Sequence, residues 1–302
     1  MKEMVKIFWD FLKENSFEKS KYKSDIAKSF KNSQFSSYIK LAKSLQIELF
    51  EKLFISDIKN GFIDELSFLM FLSKGFFVNK DYQNSIKVDK IILKRFENDK
   101  KIAVRTLYNI ASKYYLLQKF DECEKNLLLA IELLKDKKLF LDDVEVLRVA
   151  LRTYILYIAV EIEMDKKDMA VLHKMAKDLI LLLSKKREVL RGEDEVKFFL
   201  VQIYVQISSV LMLMDRYDDA IEYCKDGLEI INEKRTYISD EVAWGIYYNL
   251  AFLLWKKQEL EEALVFSKKA EEISKRLRAD DIRKERAKTL SYEIKKDMQV
   301  VA

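Results

Sequence analysis

The chain runs for 302 residues without a proline and contains only five glycines. A soluble protein of ordinary composition would carry about 15 prolines and about 20 glycines over this length. Proline and glycine end helices, form the tight turns of β-structure and build the phosphate-binding loops of α/β enzymes. Their scarcity argues against barrels, sandwiches and glycine-looped α/β enzymes, and it predicts an all-α chain.

A pattern of apolar and small residues recurs along the sequence. Its clearest copy is Leu107, Ile110, Ala111, Tyr114, Phe120, Cys123, Leu127 and Ala130. The spacing places the first four residues on one stripe of a helix and the last four on one stripe of a second helix. The small residues Ala111 and Cys123 allow these two helices to approach closely. The pattern therefore predicts a helical hairpin.

The same pattern begins again at Tyr204 and at Tyr247, and more weakly at Leu69. A degenerate fifth copy is marked by Tyr154, Tyr157, Ile158 and Ala170. The pattern resembles the tetratricopeptide repeat, although the Trp, Gly and Pro of that family are absent. The resemblance implies a right-handed superhelix of about five degenerate hairpins, which must stack because each buries only part of its apolar surface.

The two ends of the chain depart from this pattern. Residues 1–60 do not fit the repeat, so we predict an N-terminal helical segment over 1–60 and a repeat domain over 61–302. The charged stretch from Ala279 to Met298 carries a few apolar residues at helical spacing. We predict that it forms a C-terminal capping helix, since the last repeat needs a polar outer face.

The resemblance also implies a ligand surface. In tetratricopeptide proteins, the other stripe of each first helix faces a concave groove that binds extended peptides. Here that stripe is rich in aromatic and amide side chains, whereas a merely solvated face would be rich in Lys and Glu. The predicted groove residues are Lys74, Arg105, Tyr108, Asn109, Arg152, Gln202, Gln206, Tyr248, Asn249, Phe252 and Trp255.

Two of these residues, Asn109 and Asn249, occupy the sixth position of their repeats. Peptide-binding tetratricopeptide proteins often use an Asn there to clamp the peptide backbone, because an amide donates and accepts hydrogen bonds at once. In the alternative interpretation, the aromatic and amide stripe packs against neighbouring repeats and binds nothing.

The N-terminal segment has a second interpretation. Residues 1–60 contain 12 lysines against 8 acidic residues, and residues 24–40 faintly resemble a helix-turn-helix. That motif would place Lys31, Gln34, Ser36, Ser37 and Lys40 against DNA. Lys31 or Asn32 stands where glycine is usual in the motif, and the alternative is a plain helical cap on the first repeat.

The sequence contains few residues suited to catalysis or metal binding. The chain has one histidine, His173, and its two cysteines, Cys123 and Cys224, occupy packing positions of their repeats. We therefore expect no enzyme activity, no metal and no cofactor. The N-terminus lacks a signal-peptide pattern, and the uncharged stretch from Phe198 to Met214 is too short to span a bilayer. These features predict a cytoplasmic protein without a membrane partner.

Repeat number and chain length together resemble the peptide-pheromone receptors of Gram-positive bacteria, the RRNPP family (Rap, Rgg, NprR, PlcR and PrgX). The resemblance implies a cytoplasmic regulatory receptor that binds a short peptide or extended protein segment in the groove of its repeats. Such a receptor can also act as a transcriptional regulator. The alternative is a constitutive protein–protein interaction scaffold or a homo-oligomer, such as a homodimer, without a peptide ligand. DNA stays open as a partner.

Overall fold

A computed structural model describes residues 2–13, 26, 35–136, 143–165, 168–190, 192–233, 238–277 and 282–301. Within these ranges the regular structure consists of α-helices and one short 3-10 helix, Arg187–Val189, without a β-strand. The helices are α1 (Lys2–Lys13), α2 (Phe35–Lys43), α3 (Ile47–Lys59), α4 (Glu65–Val78), α5 (Tyr82–Arg95), α6 (Lys100–Leu116), α7 (Phe120–Leu134), α8 (Val144–Met164), α9 (Met169–Lys185), α10 (Glu193–Leu213), α11 (Tyr217–Asn232), α12 (Asp240–Lys256), α13 (Leu260–Ser274) and α14 (Arg283–Val301). The prediction of an all-α repeat fold is confirmed.

Aspartate side chains start several of the helices. In each case the carboxylate accepts a hydrogen bond from a backbone N–H of the first turn, which would otherwise lack a partner. The capping residues are Asp64, Asp81, Asp99, Asp143 and Asp168. A chain without proline thus defines these helix starts with acidic side chains, which also complement the positive end of the helix dipole.

One turn geometry recurs in four hairpins, which are α4–α5, α6–α7, α10–α11 and α12–α13. In each turn, the second residue after the first helix adopts a left-handed conformation. These residues are Lys80, Gln118, Asp215 and Gln258, with φ of 64°, 56°, 55° and 65°. The next backbone N–H returns to a carbonyl of the last helical turn at 2.9 Å in all four. The second helices begin at residues 82, 120, 217 and 260, where the repeat pattern predicts them.

The described residues form two compact units, Met1–Leu139 and Phe140–Ala302. In the first unit, α1 to α3 share one aromatic core with the α4–α5 hairpin. Phe8 of α1 contacts Phe68 of α4 edge-on, with ring centroids 4.8 Å apart, and Phe11 contacts Phe76 in the same way at 4.8 Å. The N-terminal helices are therefore packed directly on the first hairpin.

A buried polar cluster joins the first two hairpins. The Ser73 hydroxyl donates to Asp89 Oδ1 at 2.6 Å, and the Ser85 hydroxyl donates to the Ser73 carbonyl at 2.8 Å. Lys113 of α6 forms an ion pair with Asp89 of α5, and both side chains are almost fully buried. Because a buried charge is costly unless it is paired, this pair fixes α6 against the α4–α5 hairpin.

The second unit contains α8 to α14 around a large apolar core. The α10–α11 and α12–α13 hairpins bury the small residues that the repeat pattern predicts, among them Ala220, Cys224 and Ala263. At Gly245, an added Cβ would lie 2.8 Å from Val205 Cγ1. Helices α12 and α10 therefore approach each other closely at this glycine.

The degenerate copy of the repeat differs from its prediction. Ala170 is exposed, whereas Leu172, Ala176 and Leu179 of α9 are buried. Their spacing from the start of α9 equals that of Ala220, Cys224 and Gly227 from the start of α11. The packing register of α9 thus lies two residues later than predicted, because α8 continues to Met164 before the chain turns.

Helix α10 is the described helix that is long and apolar enough to cross a membrane by length and composition alone. Of its most apolar stretch, 44% is buried inside the protein. It packs between α9, α11, α8 and α12, as expected of a core helix. The C-terminal α14 buries Leu290 and Ile294 against the same unit, which agrees with the predicted capping helix.

Candidate functional site

The two predicted clamp residues, Asn109 and Asn249, have different environments in the structure. Asn249 of α12 is buried, with 5% of its surface exposed. Its Nδ2 donates to the hydroxyls of Ser208 and Ser209 at 2.9 Å each, and it lies 3.2 Å from the Val205 carbonyl. All three partners belong to α10, so this amide holds two neighbouring first helices together.

Asn109 of α6 has a different environment. Its side chain is half-buried and makes no hydrogen bond to any residue that the structure describes. Its own backbone carbonyl accepts from the Ser112 hydroxyl at 2.9 Å, one turn along the same helix. The amide can therefore donate and accept hydrogen bonds to a molecule outside the chain.

Exposed cations lie on the same helix as Asn109 and on the adjacent hairpin. Arg105, one turn before Asn109, is exposed, and Tyr108 beside it is half-buried. On the adjacent hairpin, the exposed Lys74 lies with its ammonium 5.9 Å from the centroid of the Phe71 ring. We call Lys74, Arg105, Tyr108 and Asn109 the α4–α6 face. It combines cations, an aromatic ring and an amide.

The predicted groove residues of α12 are engaged within the second unit. Tyr248 stacks on Trp244 with ring centroids 4.6 Å apart, and burial raises the pKa of its hydroxyl. Trp255 donates its indole N–H to Asp297 of α14 at 2.7 Å. Phe252 packs edge-on against Trp255 at 5.7 Å. Trp255 thus contacts α14, whereas Tyr248 and Phe252 stack on neighbouring rings of α12 itself.

The remaining groove residues lie on α8 and α10. Gln202 and Gln206 are half-buried on α10, and Arg152 is exposed on α8. Near the far end of α8, Glu163 forms an ion pair at 3.3 Å with Arg286 of α14. This ion pair links α8 to α14 within the second unit.

Most of the predicted DNA-binding residues cannot be placed. Lys31 and Gln34 lie outside the described residues, and for Ser36 the backbone alone is described, as part of α2. Ser37 and Lys40 are exposed on α2. Between them Tyr38 is buried and donates its hydroxyl to Asp57 of α3 at 2.6 Å. The inner side of α2 is therefore bound to the core of the first unit.

The residues that could carry out chemistry are dispersed. Cys123 and Cys224 are buried, and burial raises the pKa of each thiol to about 12. The pKa of His173 on α9 is lowered, first by burial and then by Lys177 and Arg216. Among the described residues, no three His, Cys, Asp or Glu side chains come together as a metal site.

Two features escaped the sequence pattern. The ion pair of Lys113 and Asp89 joins residues 24 positions apart in the chain. Its only signal in the sequence is that Asp89 is an acidic residue at a packing position of the repeat. A charged cleft between α9 and α11 was also missed, since most of its lining residues belong to two second helices and lie outside the repeat stripes.

Comparisons with known proteins identify the repeats. A tetratricopeptide-repeat family model matches residues 201–234 and 245–276, which are the α10–α11 and α12–α13 hairpins. The chain therefore contains tetratricopeptide repeats, a module of protein–protein interaction. No curated protein matches the sequence significantly.

The solved structures that are similar to the chain include the following three. A thermophilic TPR protein of Thermus thermophilus shares 16% identity at a TM-score of 0.45, covering 74% of this chain and 98% of that one. The assembly chaperone of RpL4 (Acl4, residues 1–338) shares 14% identity at a TM-score of 0.36, covering 78% and 96%. The TPR2AB domain of yeast Sti1 in its pHSP90 complex shares 13% identity at a TM-score of 0.33, covering 91% and 97%.

Proposed function

We propose that this protein is a peptide-binding interaction protein, and that the α4–α6 face holds an extended peptide or protein segment. The observation that carries the proposal is the half-buried amide of Asn109, which makes no hydrogen bond to the described part of the chain. The side-chain amide of Asn249, at the equivalent repeat position, already donates hydrogen bonds to two serine hydroxyls of α10. The proposal therefore assigns the clamp role to Asn109 alone.

The charges of the α4–α6 face favour an acidic ligand. Arg105 and Lys74 are exposed cations on neighbouring hairpins, and the buried Lys113 is already neutralised by Asp89. A carboxylate near Arg105 gains a charge-assisted hydrogen bond, which is stronger than one between neutral groups. The ring of Tyr108 supplies apolar contact area beside the backbone clamp.

The finer part of the proposal is regulation. Helix α4 contributes Lys74 to the proposed ligand surface, while its Phe68 and Phe76 pack on Phe8 and Phe11 of α1. A peptide that shifts α4 would thus disturb the core shared with the N-terminal helices. This supports a peptide-responsive receptor of the kind that the RRNPP resemblance implies, in which residues 1–60 contact the regulated partner or DNA.

Isothermal titration calorimetry with short acidic, basic and apolar peptides tests the binding proposal. The wild type should bind acidic peptides best. Asn109→Ala should weaken binding by about 1–3 kcal/mol, because the peptide backbone group facing it loses its partner. Asn249→Ala is the matched control at the same repeat position and should retain the affinity of the wild type. Failure of every peptide to bind, or unchanged affinity in Asn109→Ala, would contradict the proposal.

A constitutive scaffold or homo-oligomer is the second candidate. The adjacent Leu128 and Leu129 of α7 are 45% and 51% exposed, and such residues favour contact with a folded protein. Sedimentation velocity separates the candidates. A peptide-independent dimer that is lost in Leu128→Lys would support the scaffold, whereas a monomer with and without peptide would support the receptor.

A further inference from the structure

A cleft of about 250 Å³ opens between α9 and α11 in the second unit. Both helices pack on α10, which contributes Leu211 to the lining of the cleft. The remaining lining side chains come from α9, α11 and the turn before α11, and almost all of them are ionisable. The volume suits a small molecule better than a peptide.

The charges across the cleft are unequal. Arg216 and Asp219 neutralise each other through a hydrogen bond of 2.7 Å. Lys177 on α9, and Glu222 and Asp226 on α11, form no ion pair or hydrogen bond with any described residue. The cleft therefore presents one unpaired cation on one wall and two unpaired carboxylates on the other.

The two carboxylates line the same cleft from α11. Glu222 and Asp226 lie one turn apart on α11, a spacing at which like charges destabilise a helix. Burial, together with Glu229, raises the pKa of Asp226 above its ordinary value. The half-buried ring of Tyr223 also lines the cleft, where it can contact a cation.

We propose that this cleft binds a free basic α-amino acid, L-arginine or L-lysine. Such a molecule carries two cationic groups and one carboxylate, which matches two unpaired carboxylates and one unpaired lysine. The α-ammonium and the side-chain cation pair with Glu222 and Asp226, and the carboxylate pairs with Lys177. A residue within a peptide lacks one or both of the terminal charges, so the free amino acid is the matching ligand.

The single histidine of the chain makes a direct assay possible. His173 lines the cleft, and with one histidine in the sequence the imidazole Cε1–Hε1 NMR signal needs no assignment. Titration with L-arginine should shift this signal saturably. L-citrulline, which has the same shape without the side-chain charge, and agmatine, which lacks the carboxylate, should both bind more weakly. Added salt should weaken binding of L-arginine, because the contacts are ionic.

Variants complete the test. Asp226→Asn and Lys177→Gln should each weaken L-arginine binding by up to about fivefold, the loss expected for one partly exposed charge pair. Asp178→Asn, on α9 but not lining the cleft, should leave binding unchanged. The proposal is overturned if the signal does not shift saturably up to about 10 mM of L-arginine or L-lysine. It is also overturned if citrulline and agmatine bind as well as arginine, or if Asp226→Asn has no effect.

Discussion

Replacing Asn249 with alanine should destabilise the protein, whereas the same change at Asn109 should not. The Asn249 amide nitrogen has two N–H groups and donates to acceptors on α10, of which the serine hydroxyls lie at 2.9 Å. Two hydrogen bonds of about 0.5–1.5 kcal/mol each amount to about 1–3 kcal/mol. Alanine returns part of this through its higher helix propensity, at most about 0.7 kcal/mol. The expected net loss is therefore about 1–2 kcal/mol.

Thermal unfolding followed by circular dichroism measures this difference. For a domain of 150–250 residues, each 1 kcal/mol shifts Tm by about 2–4 °C, so Asn249→Ala should lower Tm by about 2–8 °C. Asn109→Ala makes no equivalent loss within the described structure and should stay within about 0.5 kcal/mol of the wild type. Equal destabilisation by both substitutions, or none by Asn249→Ala, would refute the distinction between a structural and a ligand-facing amide.

Three further outcomes follow from the buried polar and turn residues. Lys113→Met should lower the free energy of unfolding by about 3–5 kcal/mol, because it leaves the buried Asp89 carboxylate without its cation. In urea titrations, the double variant Lys113→Met/Asp89→Leu should recover most of that loss. No recovery in the double variant would contradict the pairing. Gln118→Gly should stabilise the protein by about 1 kcal/mol, since Gln118 has a φ of 56°, and an unchanged urea midpoint would contradict this. The free energy of unfolding should fall as pH rises above about 8.5, because the buried Cys224, whose pKa is raised to about 12, keeps its proton while the unfolded thiol loses it. The slope of the free energy of unfolding against pH should be smaller in Cys224→Ala. An identical slope in that variant would contradict the role of the buried thiol.

The hairpins were predictable from the sequence because their signals are local. A 3.6-residue apolar period places the helices, and the short turn between them has the same backbone geometry in all four regular hairpins, ending at residues 82, 120, 217 and 260. The exception was Ala170. Its local sequence gives no sign of where α8 ends, and the last turn of α8 delays the start of α9.

The environments of the candidate site residues were less predictable, because they depend on partners that are distant in the sequence. Asn109 and Asn249 occupy the same repeat position, and nothing adjacent in the sequence distinguishes them. The difference lies in two serines of α10 that precede Asn249 by 41 and 40 residues and face it from that helix. Likewise, Trp255 has the composition of a groove residue, but Asp297 of α14, 42 residues later, takes its N–H.

Site-specific photocrosslinking tests the central claim most directly. A photoreactive phenylalanine analogue would replace Tyr108 on the α4–α6 face or, as a control, the exposed Leu128 of α7. With an acidic peptide that binds in calorimetry, the account predicts a crosslinked peptide at position 108, lost when Asn109→Ala is added, and none at position 128. Crosslinking at 128, or at 108 regardless of Asn109, would contradict it.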